Sequence, residues 1–404
     1  MAATSDGLLS GLRVLSVEQY GAGPFGTQVL ADLGAEVIKI ENPRDGGDVS
    51  RSLGPFFGVD LPESASSLFF AAINRNKRSL ALDLANPEGK AVFHRLVADA
   101  DAVACNLRGD VPGRLGLTYE TLGEIKPAIV CAHLTAYGRE GSRANWPGYD
   151  YLIQAEAGYF GINGDPEGPP ARFGLSIVDF MTGYAIGLAL VSAVLKARTS
   201  GVGRDVDVSL YDVGIANLNY LGVWAMNTGY EPGRLPRSAH PSLTPCQLYR
   251  TADGWIYIMA NKEKFWRVLC ERLGRAELAD DPRFRTFTER AANRDALTVL
   301  LDEAFGQAGT AEWMQRLAGG VPAAPVNSVA QAIDSDFFRE SGMGVTMGDG
   351  AWSAVRGLGN PIRSGAALPS APPPALGQDT DHLLAEAGFE AEAIARLRKS
   401  GVVG

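Results

Sequence analysis

The chain has 404 residues, beyond the ~100–200 of one ordinary domain, which predicts two domains or one large domain with an elaboration. At 46% apolar and 21% charged residues it reads as a well-packed soluble protein, and extensive disorder is excluded. Its 37 basic and 46 acidic side chains give a net charge of −9, which excludes polyanion binding as the main task of the surface, so no nucleic-acid partner is expected.

Apolar runs of strand length alternate with helical patterns from the start, the signature of βαβ units around a parallel sheet. Leu12–Val17 reads as the first strand, Pro24–Leu33 as a helix closed by Gly34, and Glu36–Ile40 as the second strand. Ser79–Leu84 follows as a strand. Asn86-Pro87-Glu88 then opens a helix to about Ala98 in the order cap, proline, acid. Ala102–Cys105 and Ile129–Leu134 are further strands, with a helix from Thr118 between them. Phe173–Val178 reads as an apolar strand, Phe180–Leu195 as a buried helix, Asp205–Leu210 as a strand and Tyr211 to about Ala225 as another apolar helix. Prolines and glycines make 227–245 a linker. Beyond it, Gln247–Arg250 and Trp255–Met259 flank an Asp253-Gly254 turn, a hairpin signal, and helices follow at Lys264–Leu273, Ala296–Ala308 and Ala311–Leu317. Residues 246–325 thus form a smaller α+β module. A last helix starts near Thr380.

Four scattered cysteines with no C-x-x-C exclude a disulfide framework and point to a reducing, cytoplasmic location. Met1–Ser10 lacks the basic and apolar regions of a signal peptide. The apolar stretch Phe180–Leu195 falls short of the ~20 residues a membrane span needs, so no membrane partner is expected. The four histidines show no metal-ligand spacing, and no metal is expected.

Gly21-Ala22-Gly23-Pro24-Phe25-Gly26 follows a strand, opens a helix and precedes Glu41 by twenty residues, which matches the dinucleotide fingerprint. An NAD-dependent oxidoreductase is therefore one reading. Against it, Glu18-Gln19-Tyr20 interrupts the apolar strand, and Pro24 removes an N–H that would face a phosphate.

The same segment belongs to a longer ordered set: GLRVLSVEQYGAGP at 11–24, LGAEVIKIEN at 33–42, NRNKRSLALDL at 74–84, RLGL at 114–117, GYDYLIQA at 148–155 and DVDVSL at 205–210. DPRF at 281–284, Asn293-Arg294, GVPAAPV at 320–326 and Ala375-Leu376-Gly377 complete it. In this order, over nearly the whole chain, the set resembles the class III CoA-transferases. The resemblance implies an α/β fold. A large CoA-binding Rossmann-like domain would be built from both chain ends, 1–226 and 326–404, with the small domain at 246–325. Two chains would interlock as a homodimer, a heteromer with a paralogous subunit being the alternative.

Asp179, between an apolar run and an apolar helix, suits plain helix capping by position alone. The family's nucleophilic aspartate stands at this place, here in Val178-Asp179-Phe180-Met181-Thr182-Gly183, so the resemblance implies that Asp179 is the catalytic residue. It would form a mixed anhydride and an aspartyl-CoA thioester while moving CoA from an acyl-CoA donor, succinyl-CoA being one candidate, to a carboxylic acid. No permanent cofactor is implied; coenzyme A and acyl-CoA are substrates.

For CoA the resemblance points to Ala22, to Asn74, Arg75, Asn76 and Lys77, to Asn106, Leu107 and Arg108, and to Arg114. Tyr137 and Gly21 are implied substrate contacts. Oxalate-handling members carry glutamine at the position of Gly21 and a glycine-rich lid where this chain reads Met259-Ala260-Asn261-Lys262-Glu263, which argues against formyl-CoA and oxalate. The α-methylacyl-CoA racemase branch is the rival within the superfamily. It uses an Asp–His pair with the histidine in Gly-His-Asp, where this chain has Gly148-Tyr149-Asp150. A tyrosine, with an ordinary pKa of ~10, is a poor second proton carrier there.

Overall fold

The computed structural model describes residues 7–57, 67–363, 365 and 370–404. Met1–Asp6, part of the stretch read for a signal peptide, lies outside the described residues. The chain divides into two compact units: residues 1–157, 174–223 and 339–404 form the first, and 158–173 with 224–338 the second. Each half of the chain thus contributes to both units. The module read at 246–325 falls inside the second unit, which also takes in the linker at 227–245.

The first unit is built on six parallel strands: β1 (Arg13–Val17), β2 (Glu36–Glu41), β3 (Arg78–Ala81), β4 (Ala102–Cys105), β5 (Val130–Thr135) and β6 (Arg204–Ser209). Their order across the sheet is β3-β2-β1-β4-β5-β6, the doubly wound arrangement, whose ligand crevice lies where the order reverses, between β1 and β4. β4 and β5 are buried along their whole length, as continuous apolar runs require of a sheet covered on both faces. Leu15, Ile38, Leu80, Val103 and Cys131 pack with Phe93 and Val97 of the helix Pro87–Val97. Each such leucine, isoleucine, valine or phenylalanine side chain contributes about 1.5–3 kcal/mol when fully buried. That helix starts as read: the Asn86 side chain accepts the Glu88 N–H at 2.9 Å.

The C-terminal end closes the β3 edge. Leu383 and Leu397 join the same core. The Asp83 N–H donates to the Val402 carbonyl at 2.9 Å. The last helical pattern proves to be two helices, Thr380–Glu386 and Ala391–Lys399.

Several readings are corrected. Residues 173–176 form no strand: Phe173 and Leu175 are exposed, and an apolar strand would have to bury them. The apolar helix is longer than its most apolar stretch, running Ile177–Ser200, and it is only half buried, with Leu188 and Leu195 exposed. Its 24 residues reach membrane-spanning length, which removes the argument from shortness; it packs on the helix α1 (Ala22–Asp32) and on β5 and β6. The apolar pattern after Tyr211 is broken into Leu210–Asn217 and Asn219–Thr228, with Asn219 at a φ of 45°. The helix read from Thr118 is a single turn, Tyr119–Leu122.

In the second unit β7 (Cys246–Arg250) and β8 (Trp255–Met259) form the expected antiparallel hairpin, and β9 (Ala323–Pro325) pairs with β8. The helices Glu263–Arg272, Arg294–Phe305 and Thr310–Leu317 supply an aromatic-rich core that includes Tyr249, Trp266, Phe305 and Trp313.

Candidate active site

At the reversal point of the sheet, β1 ends at Val17 and the chain turns through Glu18–Gly21 into α1. The polar residues that interrupt the strand pattern have a structural reason. Glu18 is buried and pairs with Lys77 Nζ at 2.9 Å. Lys39, wholly buried, donates to the Glu18 carbonyl at 2.9 Å and pairs with Asp48 at 2.8 Å. Burial acts to lower the Lys39 pKa, but Asp48, Glu18 and Glu41 together hold it above the usual lysine value. For Lys77 burial prevails, with the Lys39 charge acting in the same sense, and its pKa falls to about 8.

Asp179 is the third residue of the long helix. Its backbone N–H donates to Asp150 Oδ2 at 2.9 Å, and Asp150 opens the short helix Asp150–Glu156. Among the described residues no hydrogen-bond donor serves the Asp179 carboxylate, although the residue is only 6% exposed. A capping carboxylate would be bonded and acidic. Asp179 is the reverse: burial, and then the Asp150 charge, push its pKa up to about 7. A carboxyl so placed, poised near neutrality beside a second carboxylate, is a candidate for chemistry.

Gly21, the residue before α1, faces this group. A Cβ there would collide with the Asp179 carboxylate where it now stands, so glycine lets the turn approach it this closely. Deeper in the interface, Gly26 of α1 lies against Gly183 of the long helix. The fingerprint glycines thus serve contact between chain segments. Glu41, the acid expected on a ribose in the dinucleotide reading, instead binds Arg51 at 2.7 and 2.8 Å and Ser79 at 2.7 Å. The N–H groups of Ala22 and Gly23 lie in the first turn of α1, where helix N–H groups lack carbonyl partners within the helix.

The other residues singled out by sequence fall into three groups. Asn106, Leu107 and Arg108 follow β4, and Arg108 and Arg114 are exposed around Asp110, at 3.7 and 3.0 Å. Asn74, Arg75 and Lys77 are buried; Lys77 also donates to the Pro24 carbonyl and to Asn74. Arg75 and Asn76 both bind Asp32 at the C-terminal end of α1, about 15 Å from its start at 1.5 Å per residue. Tyr137 donates to Glu156 at 3.1 Å and lies under the Arg143 guanidinium. A Cβ on Gly148 would touch the Tyr137 ring, which sets Tyr137 beside the segment leading to Asp150.

Sequence reasoning missed Asp150 as a neighbour of Asp179, and it missed Tyr20 and Asp48. Tyr20 holds a φ of 73°, rare and costly for a bulky side chain, and its N–H donates to Asp48 Oδ1 at 3.0 Å. The Tyr20 phenol has a raised pKa, through burial and then the nearby Asp179 charge.

A doubly wound sheet with a buried carboxyl near the point where its strand order reverses is the architecture of an α/β enzyme. Comparison with known proteins narrows the class. Residues 9–380 match the model of CoA-transferase family III, and the chain belongs to that family. It is 35% identical to a succinate–glutarate CoA-transferase of Agrobacterium fabrum, over 94% of this chain and 95% of the relative. It is also 35% identical to an acetyl-CoA:oxalate CoA-transferase of Acetobacter aceti, over 82% of this chain and 84% of that one. Among solved structures, a CaiB/BaiF family protein from Brucella suis superposes with a TM-score of 0.82 at 35% identity, covering 94% of this chain and 99% of the other.

Proposed function

We propose that this CoA-transferase moves CoA from succinyl-CoA to a second dicarboxylic acid of the succinate–glutarate class, with Asp179 as nucleophile. The observation that carries the reading is the partnerless Asp179 carboxyl abutting Gly21 at the switch point. The Asp179 carboxylate attacks the thioester carbonyl, and CoA thiolate leaves as a mixed anhydride forms. The thiolate then attacks the aspartyl carbonyl, which releases the donor acid and leaves an aspartyl-CoA thioester. The acceptor carboxylate repeats both steps in reverse and restores Asp179. The Ala22 and Gly23 N–H groups are the oxyanion donors in this scheme. Arg108, on the loop after β4, and Arg114, in the short helix Val111–Leu115, both exposed, are the cations for the CoA phosphates. Arg75 and Asn76, tied to Asp32, act through the fold. CoA and its thioesters serve as substrates and no permanent cofactor enters the scheme.

The relatives are named for succinate and glutarate and for oxalate. Glycine at position 21 favours the larger acids, because a side chain there takes the space in front of Asp179. The exposed Leu188 and Leu195, seven residues apart and so on one face of the long helix, support a homodimer, since exposed apolar side chains on one face call for a covering partner. Four free cysteines keep the cytoplasm as the proposed location.

A screen of carboxylate acceptors against succinyl-CoA, read by mass spectrometry, tests the substrate class. Glutarate is expected among the best acceptors, and transfer confined to monocarboxylates sinks the assignment. Racemisation is tested separately by incubating a chiral 2-methylacyl-CoA in deuterated water. The scheme predicts no α-deuterium without an acceptor acid.

The pH profile tests Asp179 itself. The reacting form is the carboxylate, so kcat/KM is expected to rise with pH through about 7. Asp150→Asn removes the second cause of the raised pKa, so the acidic limb should move to lower pH. A limb that stays in place would show that another group titrates.

A further inference from the structure

We infer that Asn106 and Asp48 are positioning residues that clamp the strained Tyr20 turn from two sides and so hold Gly21 and the start of α1 against Asp179. The inference rests on the proposed role of Asp179. Asn106 stands at the end of β4, and its side-chain amide copies one rung of a β-ladder. Its Oδ1 accepts the Gln19 N–H at 2.9 Å, and its Nδ2 donates to the Gln19 carbonyl at 2.6 Å. Gly23 makes this fit possible: a Cβ there would sit 2.9 Å from Asn106 Cβ and Cγ.

One residue further on, Tyr20 adopts a φ of 73° and is held through its N–H by Asp48 at 3.0 Å. Asp48 cannot swing away. Its other oxygen pairs at 2.8 Å with Lys39, both side chains being fully buried, and its Oδ1 also accepts from Ser50 N–H and Oγ at 2.8 and 2.7 Å. Two consecutive residues are therefore fixed from two elements distant in sequence, and the next residue is the one that abuts the Asp179 carboxylate.

A left-handed tyrosine relaxes toward negative φ once its restraints go, and that swing carries Gly21 with it. The clamp thus sets the approach of the α1 N–H groups to Asp179. It gives the Asn106 side chain a task distinct from contact with CoA, the role the family resemblance implies.

The test is a double-mutant cycle on the full chain between Asn106→Ala and Tyr20→Gly, since glycine adopts positive φ at no steric cost. Asn106→Ala is expected to lower kcat by about 10- to 100-fold, with the KM for acyl-CoA held within about threefold. In the Tyr20→Gly background the same substitution is expected to cost about threefold or less. Amide hydrogen exchange of the peptide covering residues 18–23 should accelerate in Asn106→Ala while the Tm changes little. Equal losses in both backgrounds, a raised KM with unchanged kcat, or unchanged exchange would overturn the clamp. A wild-type protein without transferase activity would sink the functional reading alone, and the exchange result would then decide whether the clamp exists.

Discussion

An Asp179→Ala variant is expected to lose CoA transfer by about 10⁴-fold or more, the scale seen when an essential nucleophile is removed. It should nevertheless fold as well as the parent. The Asp179 pKa is raised to about 7 by burial and by the Asp150 charge, whereas the unfolded chain titrates near the ordinary aspartate value of 3.8. For a carboxyl shifted upward, native stability is full at low pH and falls as pH rises from the unfolded toward the folded pKa. At pH 8 the wild type therefore carries a buried charge it holds at a cost, and the alanine variant does not. The expected result is a Tm equal to or above that of the wild type at pH 8, together with lost activity. A variant that loses activity because it unfolds would refute this account of the site's energetics. One that transfers CoA at full rate would remove Asp179 from the chemistry.

Gly21→Ala should have the second largest effect. The added methyl collides with the Asp179 carboxylate, the reacting group itself. Either the aspartate or the turn must move by a substantial fraction of an ångström. Misplacement on that scale costs on the order of 10²-fold in rate. Single-turnover measurement of CoA release from succinyl-CoA is the suitable check, because it isolates the step in which Asp179 attacks. A rate within about twofold of wild type would mean that the observed contact is not the reacting geometry.

Much of the framework was legible in the sequence because it depends on local pattern. The apolar runs of β1, β2 and β4, the Asn86 cap and the Asp253-Gly254 hairpin all stand where periodicity and turn chemistry put them. The run at 173–178 misled because apolar composition alone cannot tell a buried strand from a loop entering a helix; Gly174 and the exposure of Phe173 and Leu175 mark the difference only in three dimensions. Only the family segment points to Asp179, because its position alone favours capping. The groups that shape its environment carry no local signal. Asp150 meets Asp179 across 29 positions, Asp48 meets Tyr20 across 28, and Asn106 meets Gln19 across 87. The Asn106–Gln19 contact is made by the sheet order, which brings the ends of β1 and β4 together, and the Asp48–Tyr20 contact by the pairing of β1 with β2. The cations near Asn74 illustrate the same limit from the other side. In sequence Arg75 and Lys77 resemble phosphate ligands, and in the fold both neutralise buried acids.

Trapping the covalent intermediate tests whether Asp179 is the nucleophile. Wild-type protein is incubated with succinyl-CoA and hydroxylamine, digested, and the peptide carrying Asp179 is analysed by mass spectrometry. Hydroxylamine attacks an aspartyl thioester or anhydride, so conversion of the Asp179 side chain to a hydroxamate, with parallel loss of activity, is the expected result. An unmodified Asp179 peptide in an enzyme that keeps turning over, or a hydroxamate at another residue, would contradict the assignment.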